Sequence, residues 1–386
     1  MEKMKAYSKL AWIAGAGLGL ASLLASSAAL AEPGITSDTI TIGQSAGFTG
    51  TAAEEVKQAT AGAQLYFDII NKQGGLFGRK IVLESLDDGF EPKRTAENTR
   101  KLIADKKAFA LFLYRGTPTT ESALPLISEA KIPLIAPVSG ASSLHEPMQH
   151  YLFNVRTKYR EEVHSAVTQL SGMGLKQIAV LASNDSFGLD ALEGLKESIK
   201  KNKLPEPLIA NYERNTVAVE GAVQKILAAK PQAVLLFCTA KPCGAFIKQY
   251  RAAGGLQQLV TLSNVSSQVF LQDLGKDSRG LGMTQVFPNP RSPSAKISKE
   301  FVTALKNRSE LSDSYPTLEG FISAKVLVEG LRRAGAKPTR EGLVTALESM
   351  GGYDLGGVSL NYGPASRDGV SFIELTVIGK DGYVLR

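Results

Sequence analysis

Two stretches of this chain are apolar at every position, Ala108-Phe109-Ala110-Leu111-Phe112-Leu113 and Ala233-Val234-Leu235-Leu236-Phe237. A strand with one wet face alternates apolar and polar residues, so a strand that does not alternate has both faces covered. Short runs rich in β-branched and apolar residues recur along the chain. Each leads through a Gly/Pro/Ser/Thr loop into a segment of helical period. The runs place strands over residues 39–46, 81–86, 108–114, 133–136, 177–182 and 233–238. Helices are expected over 54–73, 92–105, 118–130, 159–172, 189–201, 217–229 and 242–253. In the first of them Val56, Ala59, Ala63, Phe67 and Ile70 share one side. Strict β–α alternation implies right-handed crossovers and open, doubly wound parallel sheets. Such sheets bind ligands beyond the carboxyl ends of their strands, where helix N-termini face the site. There is no internal repeat of about 20–50 residues and no low-complexity linker.

The N-terminus speaks for export. Residues 1–9 hold Lys3, Lys5 and Lys9 against Glu2, an apolar stretch follows to about Leu24, and Ala29-Leu30-Ala31 ends the segment. This is the layout of a cleaved secretory signal, with the cut expected after Ala31. Gly15, Gly17, Gly19, Ser22, Ser26 and Ser27 dilute the run below the roughly 20 strongly apolar residues that a spanning helix needs. No cysteine stands near the cut to carry a lipid. Losing three Lys and one Glu leaves 41 basic and 36 acidic side chains, a net +5 on 355 residues. The densest basic cluster, Lys196, Lys200, Lys201 and Lys203, shares its helix with Glu193 and Glu197, which reads as a solvated face rather than a nucleic-acid surface. A chain of this length suits two lobes better than one core.

Few motifs carry chemistry. Gly43-Gln44-Ser45-Ala46-Gly47 matches the G-x-S-x-G nucleophile elbow. An elbow needs a tight strand-to-helix turn with an acid and then a histidine later in the chain. Here Phe48-Thr49-Gly50-Thr51 intervenes, and His145, His150 and His164 are the only histidines. His145-Glu146-Pro147-Met148-Gln149-His150 spaces its histidines one residue too far for a zincin, and Pro147 breaks the helix that would align them. No metal and no cofactor are expected. Asp87 and Asp88, being adjacent, point in different directions and are expected to cap a turn. Cys238 and Cys243 lie five residues apart in a protein bound for an oxidising compartment. A bridge is the expectation, and two free thiols, one ending a buried strand, the alternative.

The run Asn71-Lys72-Gln73-Gly74-Gly75-Leu76-Phe77-Gly78-Arg79-Lys80-Ile81, with Asp87-Asp88 and Pro92 after it, resembles the branched-chain amino-acid-type periplasmic binding proteins. Gly116-Thr117-Pro118-Thr119-Thr120, Ser139-Gly140-Ala141, Asp185-Ser186-Phe187-Gly188 and Leu318-Glu319-Gly320 fit that resemblance at the expected intervals. It implies two Rossmann-like lobes with a cleft between them: residues 32–154 with 286–359, and 155–285 with 360–386. Three crossovers would join the lobes, near 153–156, 285–288 and 360–363. It also implies ligand contacts at Thr117 and Arg115, at Ser139, Gly140 and Ala141, and at Ser45 and Thr49 of the first loop. The second lobe would add Asn184, Asp185, Phe187, Thr239, Ser263 and Asn264, and the returning segment of the first lobe Glu319. Thr117 would meet a ligand carboxylate, unless it only caps its helix.

One departure bears on the ligand. Amino-acid binders of the family offer a carboxylate to the α-ammonium from a loop that here reads Leu262-Ser263-Asn264-Val265. Unless Asp185 or Glu319 substitutes, an ammonium would be poorly paired, and an unpaired buried charge is expensive. A carboxylate without a free amine, an amide and an aromatic acid all stay open. The function expected is that of a monomeric periplasmic component of an ATP-driven importer, docking on an inner-membrane permease, with an amino acid or similar molecule as ligand. A soluble sensor for a membrane receptor and a secreted serine hydrolase using Ser45 are the rivals.

Overall fold

The computed structural model describes residues 32–385; the expected signal segment and its cut after Ala31 lie outside the described residues. The chain begins with β1 (Thr39–Ala46), α1 (Ala53–Lys72), β2 (Lys80–Asp87), α2 (Pro92–Ala104), β3 (Ala110–Phe112), α3 (Thr117–Glu129), β4 (Leu134–Ile135) and β5 (Leu152–Phe153). These five strands form one parallel sheet in the order β2-β1-β3-β4-β5. After a first crossing come α4 (Tyr159–Gly172), β6 (Ile178–Ser183), α5 (Ser186–Asn202), β7 (Leu208–Tyr212), α6 (Glu220–Ala229), β8 (Ala233–Phe237), α7 (Ala240–Ala252), β9 (Gln258–Thr261), α8 (Gln268–Leu274) and β10 (Gly282–Gln285). The order here is β7-β6-β8-β9-β10, the same winding as the first sheet, although no sequence repeat announces it. The chain then returns to the first lobe with α9 (Lys296–Leu305), α10 (Tyr315–Ala334), α11 (Arg340–Glu348) and the small hairpin β11 (Gly351–Asp354) and β12 (Ser359–Asn361). It ends as β13 (Glu374–Ile378) and β14 (Val384–Leu385), antiparallel additions beside β10. Two doubly wound α/β lobes result.

The unbroken apolar runs are explained by what lies on either side of them. Along β8, Ala233, Leu235 and Phe237 enter one core, and Val234 and Leu236 enter the opposite one. Along β6, Ile178, Val180 and Ala182 alternate in the same way with Ala179 and Leu181. In the first sheet Leu111, Leu134 and Leu152 pack under α2 and α3, while Phe112, Ile135 and Phe153 pack under α1, α10 and α11. Helices on both faces leave no position for a polar residue.

Observed boundaries follow the expected ones within a few residues, with β1 and α4 coinciding. The third strand is shorter than the expected 108–114. Leu113 takes φ +55° and turns the chain out of the ladder, and Ala136 does the same beyond β4 with φ +56°. The third crossing also lies later than 360–363. Leu360, Tyr362 and Val370 still belong to the core of the first lobe, so the chain leaves it only at 371–373. The first and third crossings run side by side: Val370 N donates to Val155 O at 2.9 Å, and Thr157 Oγ1 donates to the carbonyls of Val370 and Phe372.

Candidate functional site

A cavity lies between the carboxyl ends of the two sheets; its free volume is about 20 Å³, room for little more than a water molecule while the lobes stand this close. It is lined by loops after β2 (Phe90), β3 (Arg115, Gly116, Thr117, Pro118), β4 (Val138), β6 (Asp185, Phe187), β8 (Thr239) and β9 (Asn264), with Tyr159 from the first crossing. Every one of those loops follows a strand end, as the doubly wound topology dictates.

The first wall is shaped by the paired left-handed turns at Leu113 and Ala136. A non-glycine residue in that conformation costs roughly 1–2 kcal/mol, which the surrounding packing must offset. Past the turns the two chains pair again, with Gly116 N donating to Val138 O and Val138 N to Tyr114 O. This delivers Arg115, Thr117 and Ser139 to the cleft together. Thr117 Oγ1 and Ser139 Oγ lie 2.8 Å apart, both buried. Thr117 is the first residue of α3 and not its cap; the cap is Gly116, and no side chain bonds there. Gly116 has φ +94°, and a Cβ on it would sit 2.7 Å from the Phe90 ring. Arg115 is 5 % exposed, and its Nη2 reaches across the cleft to Asn264 O at 2.6 Å.

The second wall is built differently. Asp185 caps α5, its Oδ1 accepting from Gly188 N at 3.0 Å, while its Oδ2 stands 3.4 Å from Arg214 Nε. Burial pushes its carboxyl above the usual range. Phe187 meets Tyr159 edge to face, 4.9 Å between ring centres. Thr239 Oγ1 donates across the cleft to Thr51 Oγ1 at 3.0 Å, and Thr51 in turn donates to Asn215 at 3.2 Å. Arg214 spans the same gap, donating to Phe90 O with its guanidinium over the Phe90 ring. Asn264 Nδ2 donates to Cys238 O at 3.0 Å, and its Oδ1 is buried without a donor.

Several expected contacts stand elsewhere. Ser45 is fully buried and donates to Asp88 Oδ2 at 2.9 Å, with Asn98 donating to it, so it braces the β1 and β2 ends instead of facing the cavity. None of the three histidines is a partner of Ser45: they bond Asp368, Glu341 and the Ser198/Lys201 pair, which removes the basis for a Ser45 nucleophile. Thr49 is exposed and bonds Asp87 through N–H and hydroxyl. Asn184 is exposed and donates to Glu213 at 3.0 Å. Ser263 and Glu319 belong to a buried ionic network around Arg156, which faces Glu162 at 3.3 Å and Glu319 at 3.5 Å and also donates to Ser263 Oγ. Glu162 Oε2 accepts from Ser263 N at 2.9 Å, so these groups are spent at the first crossing. Gly140 and Ala141 do not line the cavity. A Cβ on Gly140 would sit 2.6 Å from Thr157 O, and Ala141 is fully buried in the second lobe's core. Cys238 and Cys243 are joined as a disulfide with Cα atoms 5.5 Å apart, which fixes the start of α7 beside Thr239.

Phe90, Pro118 and Tyr159 line the cavity and were not expected as ligand contacts. Position after a strand end marks Phe90, but nothing in its chemistry separates it from a core residue. Contacts across the cleft also include Ser267 Oγ to Glu55 at 2.6 Å and Ser186 Oγ to Glu121 at 2.6 Å.

The model of a periplasmic binding protein family matches residues 39–371. The chain is 24% identical over 314 residues to the Leu/Ile/Val-binding protein homolog 3 of Brucella melitensis, covering 80% of this chain and 83% of that one. It is 25% identical to the Leu/Ile/Val-binding protein BraC3 of Rhizobium johnstonii over 80% and 83%. Among solved structures, a substrate-binding periplasmic protein from Ralstonia solanacearum is 35% identical with a TM-score of 0.85, over 89% of this chain and 99% of that one. A possible leucine/isoleucine/valine-binding protein from Rhodopirellula baltica is 29% identical with a TM-score of 0.86, over 91% and 97%. Family, fold and cleft agree: the chain belongs to the periplasmic binding proteins, as a solute-binding protein of the branched-chain amino-acid type.

Proposed function

We propose that this protein captures an amino acid or a similar small carboxylate in the periplasm and delivers it, as a monomer, to an inner-membrane ABC permease. The observation that carries the reading is the joint placement of Arg115 and Thr117 at one face of the inter-lobe cavity, with Ser139 Oγ 2.8 Å behind the Thr117 hydroxyl. A guanidinium with hydroxyls beside it suits a carboxylate, to which charge-assisted hydrogen bonds are the strong kind. The names of the relatives support an amino-acid-like ligand. The ligand docks on Thr117, Ser139 and Arg115 of the first lobe, and Asp185, Phe187, Thr239 and Asn264 approach it when the second lobe swings in. Contacts made only in that state supply the differential affinity that a conformational shift requires. The exported chain begins at Glu32. No catalytic step belongs to this reading.

The experiment is a thermal-shift panel of amino acids and related carboxylates on protein stripped of bound solute. Ligand at about a hundred times its Kd adds roughly 2.7 kcal/mol, a shift of about 5–10 °C for lobes of this size. At least one member should give it. A panel without effect would count against a carboxylate receptor.

A further inference from the structure

We propose that the ligand of this cavity is a small carboxylate whose second polar group is a neutral hydrogen-bond donor, a hydroxyl foremost, and not an ammonium. The inference rests on the reading of the cleft as a solute site and narrows its chemistry.

Charge comes first. Arg115 is the one basic residue among those lining the cavity, and Asp185 the one acid. Asp185 is occupied by the Gly188 amide and by Arg214. Most of the acids behind the lining are also engaged. Glu55 accepts the Ser267 hydroxyl on Oε1; its Oε2 is buried without a donor, and burial pushes the carboxyl upward, toward the neutral form. Glu162 and Glu319 face Arg156, and Glu91 faces Arg214 and Asn215. An ammonium brought into this cavity would meet a guanidinium and, on the lining, a single carboxylate already held by an amide and a second guanidinium, which comes near the costly case of an unpaired buried charge.

The second observation is Asn264. It is 6 % exposed, and its Oδ1 is buried without a donor. Its amide cannot turn over without loss, because Nδ2 donates to Cys238 O at 3.0 Å. A buried acceptor left unmade is expensive, so a ligand that supplies one O–H or N–H there gains more than an ordinary hydrogen bond would. The backbone O of Asn264 accepts from Arg115 Nη2, so Asn264 and the guanidinium line the same corner of the cavity. Phe90, Pro118, Val138, Tyr159 and Phe187 surround the rest and call for an apolar or aromatic body.

The test uses two matched sets that differ only at the α-substituent: phenylalanine, phenyllactate and phenylpyruvate; leucine, 2-hydroxy-4-methylpentanoate and 4-methyl-2-oxopentanoate. Calorimetry on stripped protein should show, in at least one set, the hydroxy acid binding tenfold or more tighter than the amino acid. The oxo acid, without a donor, falls between them. An amino acid that binds as tightly as its hydroxy counterpart overturns the proposal. Asn264→Ala should bring hydroxy and oxo acids within about twofold of each other. Asn264→Asp keeps the shape, adds a charge and should move the preference toward the amino acid at least tenfold. Should the alanine variant fail to fold, an unchanged preference in Asn264→Asp overturns the role of Asn264. If none of the six binds while native mass spectrometry finds another co-purified solute, the ligand class is wrong and the receptor reading stands. If no solute is found either, both fall.

Discussion

The two walls of the cleft present similar residue types and use them differently. On the first, Thr117 and Ser139 bond only each other and the local backbone, and Arg115 sends one arm across the gap. On the second, Asp185 is a helix cap and an ion-pair partner, and Thr239 is tied to Thr51. Hydroxyls that satisfy one another can exchange that bond for a ligand at little cost, whereas a capping carboxylate cannot be taken without uncapping its helix. In the proposed capture the first wall is therefore the docking surface, and the second contributes shape, apolar contact and the open acceptor of Asn264. The cleft is asymmetric by construction, although the two sheets are wound alike.

Mutations on the two walls should separate binding from stability. The largest loss is expected for Arg115→Ala, which removes the cavity's only lining cation; affinity should fall by a hundredfold or more, since a bond to a charged group contributes about 1.5–3 kcal/mol and Arg offers more than one. Titration of the variant beside its melting curve checks this, and a loss under tenfold would move the anion elsewhere. Next is Thr117→Ala, one hydrogen bond, with a ten- to hundredfold loss and a nearly unchanged melting temperature. Unaltered affinity with reduced stability would mark Thr117 as structural only. Asp185→Ala on the second wall should do the reverse, weakening the α5 cap by about 1 kcal/mol of stability while changing affinity less than Thr117→Ala does.

The smallest effect concerns the crossings. Asp368 is held at about 2, first by the hydrogen bond to His145 and with help from Lys158, which also faces Glu146. A depressed carboxylate contributes stability that is present above its unfolded value near 4 and is lost as pH falls toward 2. Asp368→Asn should lower the melting temperature at pH 5–7, and the deficit should vanish by about pH 2. A deficit constant over that range would contradict the clasp.

The alternation of apolar runs and helical segments made the architecture legible, down to the ends of β1 and α4. The edge strand β7 was not, because its pattern of half-buried and exposed residues carries little apolar signal. Arg115, Thr117 and Asp185, which the family resemblance marked and which stand at strand ends, do line the cavity. Ser45, Thr49, Asn184 and Ser263 also stand at strand ends, and Glu319 on α10 was marked by the resemblance, but they are consumed by Asp88, Asp87, Glu213 and the Arg156 network. Sequence marks which residues stand near the cleft; their partners, tens of positions away or more than a hundred, decide which remain for a ligand. Phe90 and Tyr159 were missed for the converse reason, since an aromatic that lines a cavity reads like one that fills a core.

The account stands on capture by closure between two unlike walls. Small-angle scattering on solute-stripped protein, with and without saturating ligand, tests this most directly. Thr117, Ser139 and Arg115 hold the ligand before the second lobe arrives, so the ligand-bound protein should show the smaller radius of gyration, and Arg115→Ala should lose the change along with affinity. A bound ligand, verified by calorimetry in the same sample, that leaves the radius of the stripped protein unchanged would contradict it.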